Sequence, residues 1–415
     1  MGNVYEVFEE RGFIDQVTDE GGLKELLSRE KITCYIGFDP TAKSFHVGHL
    51  LAIIALMHMQ RHGHRPIAVL GGGTGLIGDP SGKKEMRPLM LKEEIERNAL
   101  YLKRQLEHFL DFEKGNALLV NNAEWLTKLN YIEFLRDIGK HFSVNRMLQA
   151  ESYRMRYETT GLSFIEFNYM LLQAYDFLYL FKHYNCVLQM GGRDQWANIC
   201  AGIDLIRRVE GGQAYGLVFP LLTTATGEKM GKTEKGAIWL DPELTSPYEF
   251  YQYWINVDDR DVKRFLALFT FLPMKEVEEL GRLEGEQIRE AKEVLAFEVT
   301  KLVHGEQEAR KARDASKALF GGEGREVEGI PTTFVKEEEL EVGLPICELC
   351  VRTGLTASRS EARRLILQGG LYLNSKRVQD VEKKVTFEDL ENGALMLRAG
   401  KKRYHRVLVR KNEPL

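Results

Sequence analysis

The chain has 415 residues, 44% of them apolar and 28% charged, which is too long for one ordinary core and close to the average make-up of a water-soluble protein. No apolar run reaches the roughly 18–20 residues that a bilayer-spanning helix needs, so a membrane is not among the expected partners. The formal charge of −4 is uneven: residues 344–415 carry 15 Lys and Arg against 8 Asp and Glu, a balance of +7, whereas residues 1–343 hold 42 against 53, a balance of −11.

The first stretch, MGNVYEVFEERGFIDQ, is acidic and has neither the apolar core of a secretion signal nor the Arg- and Ser-rich look of a transit peptide; the expected location is the cytoplasm. An apolar, β-rich run at 32–38 (ITCYIGF) leads into a turn at Asp39 and Pro40, and a helical pattern follows from about His46 to Arg61, stopping at Gly63. A second strand at 66–70 runs into a glycine-rich turn, with a helix at about 92–110. Helical stretches at 131–138 and 164–182, a short strand near 186–190, a helix after Gln195 and a strand near 216–222 continue the alternation. This grammar predicts an α/β fold, a Rossmann-like doubly wound parallel sheet, over residues 1–222. Residues 223–325 read as a loop and an α-helical subdomain, and the Gly- and Glu-rich 326–343 as a linker. In residues 344–415, expected to form a small basic α+β module, Ser358 and Glu361 make an S-x-x-E cap for a helix through Leu367, which Gly369 and Gly370 end before the strand-like LYLNSKRV. A basic module on an acidic body points to a polyanion partner, because neutralising phosphates releases counterions.

Two short motifs carry chemistry. In His46-Val47-Gly48-His49, two imidazoles three residues apart share one face of a helix's first turn, where backbone N–H groups and the helix dipole favour a phosphate, and Gly48 lets a flat base or ribose approach. The competing reading is a pair of histidines that merely cap a buried helix. Lys229-Met230-Gly231-Lys232-Thr233 places two lysines and a hydroxyl between Gly227 and Gly236, a loop able to fold over a triphosphate and neutralise a departing pyrophosphate. On the otherwise apolar stretch Phe164–Phe181, Tyr169, Gln173 and Asp176 fall at i, i+4 and i+7, one polar stripe that should face a cavity. Gly73-Thr-Gly75-Leu-Ile-Gly78 fits G-x-G-x-x-G, but Asp79-Pro80-Ser81-Gly82 follows where a dinucleotide site needs an opening helix, so neither NAD nor FAD is expected. Of five cysteines only Cys347 and Cys350 form a C-x-x-C, without the second pair or histidines of a zinc site. No protein-held metal is expected.

HVGH and KMGKT, in this order and about 180 residues apart, resemble the signature pair of class I aminoacyl-tRNA synthetases. YIGFDPTA at 35–42, GDPSGKK at 78–84, NYMLLQAYD at 168–176 and GGRDQWANI at 191–199 narrow the resemblance to bacterial-type tyrosyl-tRNA synthetases, over essentially the whole chain. The resemblance implies activation of tyrosine by ATP, with Mg²⁺ travelling with the nucleotide, and transfer to tyrosine tRNA. It implies that Tyr35 and Asp176 hold the substrate phenol, that Asp79, Tyr169 and Gln173 receive its ammonium group, and that Gln195 lies near its carboxylate. Gly37, Asp39, Gly48, Gly191 and Asp194 would contact the nucleotide, and Thr41, His46 and His49 its phosphates or ribose. Lys83, Arg87, Lys229, Lys232 and Thr233 would embrace the pyrophosphate. The segment SRSEARRLILQGGLYLNSKRV is similar to a small RNA-binding module, with Arg359, Arg363, Arg364, Lys376 and Arg377 as phosphate contacts, and Arg207 and Arg208 would hold the acceptor arm. A homodimer with its interface near 120–165 is also implied. Four positions depart from the commonest pattern: Gly231 and Arg193 stand where relatives have serine or a small residue, and Ile36 and Ala52 cannot offer polar contacts to a ribose. The rivals are another adenylyl transferase with an H-x-G-H motif, a synthetase for tryptophan, or a synthetase relative kept only to bind RNA.

Overall fold

The computed structural model describes the whole chain except residues 1, 83–84, 86, 228–229, 234–235, 322–329, 392, 401–402 and 411–415; the side chains of 232–233 and 319–321 are likewise outside the described set. The chain divides into two compact units, one comprising 1–245 and 257–295, the other 246–256 and 296–415.

The first unit is built on a six-stranded sheet, β1 (Gln16–Val17), β2 (Thr33–Phe38), β3 (Arg65–Leu70), β4 (Leu118–Asn121), β5 (Cys186–Gly192) and β6 (Tyr215–Phe219), in the spatial order 1-6-5-2-3-4. All pairings are parallel except that of the short edge strand β1 with β6. Every residue of β6 and nearly all of β2, β3 and β5 are buried, as expected for a parallel sheet covered by helices on both faces. Chain order runs from β2 outward through β3 to β4, then returns to the other side of β2 with β5. That reversal makes the gap beyond the carboxyl ends of β2 and β5 the crevice where doubly wound sheets take their ligands.

Three helices bring side chains to that crevice. Val47–Arg61 starts from its cap His46, and ten of its 15 residues are buried. Phe164–Tyr184 opens with a reciprocal Ser163/Glu166 capping box and ends at Asn185 in the left-handed conformation, φ 52°. Its first turn is tied down by a buried ion pair: Arg156 Nη2 donates to Glu166 Oε2 at 3.0 Å, and the closest N–O approach is 2.8 Å. Trp196–Glu210 packs along it, its Gly202 admitting the ring of Phe177.

In the second unit the strands Lys376–Arg377, Leu371–Leu373, Ala394–Ala399, Arg403–Arg410 and Thr332–Lys336 form a five-stranded sheet in that order. The helices Ile346–Arg352 and Arg359–Leu367 close its core through Leu349, Cys350, Ala362 and Ile366. Two expectations are corrected here. The linker placed at 326–343 is not a linker over its second half, because Thr332–Lys336 pairs in parallel with Arg403–Arg410 and Val335 is buried in the core, followed by the helix Glu337–Val342. The helices of 223–325 do not form one subdomain. Val262–Phe269 and Met274–Leu280 stay with the first unit, where Arg11 donates to the carbonyls of Ala267 and Thr270, whereas Pro247–Ile255 and Glu306–Gly321 pack together in the second. Among the described residues no helix is long and apolar enough to cross a membrane.

Candidate active site

At the carboxyl ends of β2 and β5 lies a cavity of about 330 Å³. Its inner end is made by the strand partners Tyr35 and Gln189 and by Asp176 from the helix Phe164–Tyr184. Asp176 is 3% exposed, and each of its oxygens has a donor: Trp125 Nε1 reaches Oδ1 at 2.7 Å and Asn122 Nδ2 reaches Oδ2 at 2.8 Å. Burial still pushes the carboxyl up to about 7, against the pull of these two donors. The Tyr35 hydroxyl, on a residue 2% exposed, has no hydrogen-bond partner. An ionised carboxylate has lone pairs to spare, so this end is built to take one more hydroxyl, between an acceptor and a phenol.

Further out, Asp39 accepts from Thr74 Oγ1 at 2.7 Å and from the Tyr169 hydroxyl at 3.0 Å, and burial lifts its carboxyl to about 6. Asp79 accepts from Ser81 N at 2.9 Å and from Gln195 Nε2 at 2.7 Å; burial raises it too, against those donors. Two buried carboxylates, Asp79 and Asp176, and the half-buried Asp39 share one cavity, where Arg87 Nε donates to the Asp79 carbonyl at 3.2 Å, and this balance favours a cationic group in the middle.

The mouth widens into a second cavity of about 940 Å³ that shares Asp39, Thr41, His46, His49, Arg87 and Asp194 with the first. Here the two histidines cap their helix and line the wall at once. His46 Nδ1 accepts from Gly48 N at 3.0 Å, His49 Nδ1 accepts from His46 N at 3.2 Å, and the rings lie 4.0 Å apart. With Nδ1 an acceptor, a neutral ring carries its proton on Nε2 and can donate to an oxygen. Burial, helped by His46, lowers His49 to about 3, so it stays neutral. Gly48 leaves room for the His46 ring, which a Cβ would meet at 2.7 Å. Gly231 sits on the same turn with φ 79°, where a Cβ would come 3.1 Å from Gly48 N, so the glycine that replaces the family serine suits this backbone.

The described residues predicted for amino acid and nucleotide come together. Tyr35, Gly37, Asp39, Gly48, Asp79, Tyr169, Gln173, Asp176, Gly191, Asp194 and Gln195 all line the smaller cavity, as do Ile36 and Ala52. Lys83 and Lys229 lie outside the described residues, and for Lys232 and Thr233 only a short backbone strand is described. Arg193 lines the larger cavity and faces Asp15 at 3.5 Å. Asn122, Trp125, Thr74, Ser81 and Asn198 hold the predicted side chains; Ser81 and Asn198 stand inside GDPSGKK and GGRDQWANI without an assigned role, and for the other three the ends of β3 and β4 at the carboxyl edge were the only signal.

Of the predicted RNA contacts, Arg207 and Arg208 share Asp204 with Arg146, at 2.6, 2.9 and 3.0 Å. Arg359 pairs with Glu348 and Arg363 with Glu382, while Arg364, Lys376 and Arg377 are exposed. Among the described residues no cluster of three or more His, Cys, Asp or Glu side chains is placed to hold an ion.

The sequence model of a family described as tRNA synthetases class I (W and Y) matches residues 27–321, and that of the tyrosine–tRNA ligase SYY-like C-terminal domain matches residues 324–407. A tyrosine–tRNA ligase of Caldanaerobacter subterraneus subsp. tengcongensis is 60% identical over 98% of this chain and all of its own length. The chain belongs to the tyrosine–tRNA ligase family. A second ligase of that family, from Clostridium botulinum, is 58% identical over 99% of this chain and all of its own. The solved structure of a C-terminally truncated mitochondrial tyrosyl-tRNA synthetase of Aspergillus nidulans superposes with a TM-score of 0.70 at 31% identity, covering 77% of this chain and 95% of that one. The family likeness thus covers both units, including the strand at 332–336 that the sequence alone read as linker.

Proposed function

We infer that the chain is a tyrosine–tRNA ligase, which joins tyrosine to ATP as tyrosyl-adenylate and then esterifies it to the 3′-terminal adenosine of its tRNA. The observation that carries this reading is one crevice with two ends: an inner hydroxyl-reading end at Tyr35 and Asp176, and an outer end at the histidine pair His46 and His49. Tyrosine fits the inner end because phenylalanine would leave the buried Tyr35 hydroxyl unpaired, at about 1–3 kcal/mol, and would bring Asp176 no hydroxyl donor beyond Trp125 and Asn122. Its ammonium falls to Asp79, Tyr169 and Gln173, within reach of Asp39.

In the first step an oxygen of the tyrosine carboxylate, already ionised, forms a bond to the α-phosphorus of ATP, and the bond to the β-phosphate oxygen breaks to release pyrophosphate. No general base is needed. The chain's own residues hold the reactants in line and donate hydrogen bonds to oxygens that gain charge: Nε2 of His46 and His49, and the guanidinium of Arg87. Lys83, Lys229, Lys232 and Thr233 are assigned to the pyrophosphate by family resemblance, and Mg²⁺ would arrive with the ATP phosphates. In the second step a ribose hydroxyl of the tRNA attacks the tyrosyl carbonyl and AMP leaves.

The basic module contributes phosphate contacts through Arg359, Arg363, Arg364, Lys376 and Arg377, with Arg207 and Arg208 for the acceptor arm. A homodimer is supported by Tyr131, Ile132, Val144 and Phe164, which expose 56–70% of large apolar side chains in or beside the 120–165 segment. The cytoplasm is the expected place of work. The test is amino-acid-dependent exchange of labelled pyrophosphate into ATP, run with each of the twenty amino acids on the wild type and on Asp176→Ala. Exchange with tyrosine alone, lost in the variant, is the expected result; exchange best with tryptophan, or none at all, would overturn it.

A further inference from the structure

Behind the cavity wall, on the helix Trp196–Glu210, Asn198 is 1% exposed. Its Nδ2 donates to Gln173 Oε1 at 3.0 Å and reaches Gln195 Oε1 and Ser81 Oγ, each at 3.4 Å. Its own Oδ1 is buried with no hydrogen-bond partner. A buried acceptor left unpaired costs about 1–3 kcal/mol. The position therefore carries an amide at a net cost on one end, and its donor end is where the return must lie.

A glutamine side chain has nearly the same shape after a half-turn about its last bond, but the half-turn exchanges a donor for an acceptor. By donating to both Oε1 atoms, Asn198 settles that choice twice. Gln195 then turns its Nε2 to the Asp79 carboxylate, where it donates at 2.7 Å, and to Asp194 at 3.2 Å. Gln173, which also lines the cavity, has its Oε1 held on Asn198, and that oxygen keeps a second lone pair for a cation. With the amides reversed, Gln195 would point an oxygen at Asp79, and the Gln173 atom beside Asn198 would be a donor with no lone pair to offer an ammonium.

We propose that Asn198 is a positioning residue for the amino-acid site: it sets the orientation of the Gln173 and Gln195 amides and so prepares Asp79 and Gln173 for the α-ammonium group of tyrosine. The proposal rests on the reading of this cavity as the tyrosine site.

The experiment is tyrosine-dependent pyrophosphate exchange on the full chain carrying Asn198→Leu, which removes the donor while roughly keeping side-chain volume. The tyrosine KM is expected to rise about tenfold, the worth of one hydrogen bond near a charged group, with the ATP KM unchanged. The Ki of 4-ethylphenol, a competitor that keeps the phenol but has neither the amino group nor the carboxylate, stays at the wild-type value. The acid limb of kcat/KM for tyrosine moves to higher pH, because Asp79 loses a donor among neighbours Asp39, Asp194, Arg87 and Tyr169. An unchanged tyrosine KM, or equal losses for tyrosine and 4-ethylphenol, would overturn the proposal. If Asn198→Leu does not fold, Asn198→Ala is read by the same pair of ligands, and failure of both to fold would make the residue structural and overturn it as well. Absence of tyrosine-dependent exchange in the wild type would instead sink the reading of the site itself.

Discussion

Trp125→Phe isolates one hydrogen bond to the carboxylate that reads the phenol. The indole N–H donates to Asp176 Oδ1 at 2.7 Å, and its ring stacks on Tyr179 at 4.3 Å between centroids, a contact that phenylalanine largely keeps. A hydrogen bond to a charged acceptor contributes about 1.5–3 kcal/mol, and each 1.36 kcal/mol moves a pKa by about one unit, so losing it should lift Asp176 from about 7 to about 8–9. At pH 7 the ionised fraction would then fall from about one-half to between about one-tenth and one-hundredth, a loss of about 5- to 50-fold in kcat/KM for tyrosine. The assay is tyrosine-dependent pyrophosphate exchange between pH 6 and 9, read as the ratio of variant to wild type so that titration of the substrate cancels. The ratio should climb towards one as pH rises. A ratio that is constant with pH would refute the argument, since it would mean that Trp125 acts by packing and that the ionisation of Asp176 does not govern tyrosine binding.

The same carboxyl affects stability. Its folded pKa of about 7 lies above the unfolded value of about 3.9, so its contribution is fully present below about pH 4 and is lost as pH rises through about 7. Asp176→Asn removes that titration, and the stability difference between variant and wild type in urea denaturation should move in the variant's favour between pH 4 and 8 by up to about 4 kcal/mol. The difference is the quantity to follow, because the buried neutral rings of His49 and His58, each held near 3, give the opposite slope in the absolute curves. Arg156→Met should cost about 3–5 kcal/mol by stranding the buried Glu166 carboxylate, and adding Glu166→Leu should return most of it; a single variant as stable as wild type would count against the ion pair as a tether. Gly231→Ala should lose about 1–2 kcal/mol, from φ 79° and the 3.1 Å approach to Gly48 N, and a wild-type denaturation midpoint would show that the backbone there relaxes freely.

Where local pattern decides, the sequence was sufficient. Alternating apolar strands and helices set the doubly wound sheet, and the i, i+4, i+7 stripe of Tyr169, Gln173 and Asp176 announced a polar wall on an apolar helix, because the helical repeat itself puts those side chains on one face. His46 and His49 were legible for the same reason, three residues apart at a helix start. The strand at 332–336 was not, since its partner residues in Arg403–Arg410 lie 74 positions further along the chain and its composition alone resembles a linker. Nor were Asn122 and Trp125, nor the role of Asn198 inside GGRDQWANI. They are ordinary neutral residues whose importance comes from the carboxylate or amide that the return of the chain from β4 through the helix before β5 brings beside them, and Asn122 stands 54 residues from the Asp176 it supports. Burial belongs to the tertiary structure too. The sequence determined which groups line the crevice, but only the packing around Asp39, Asp176 and His49 decided their charge, because desolvation is a property of the enclosing cavity and not of the residue.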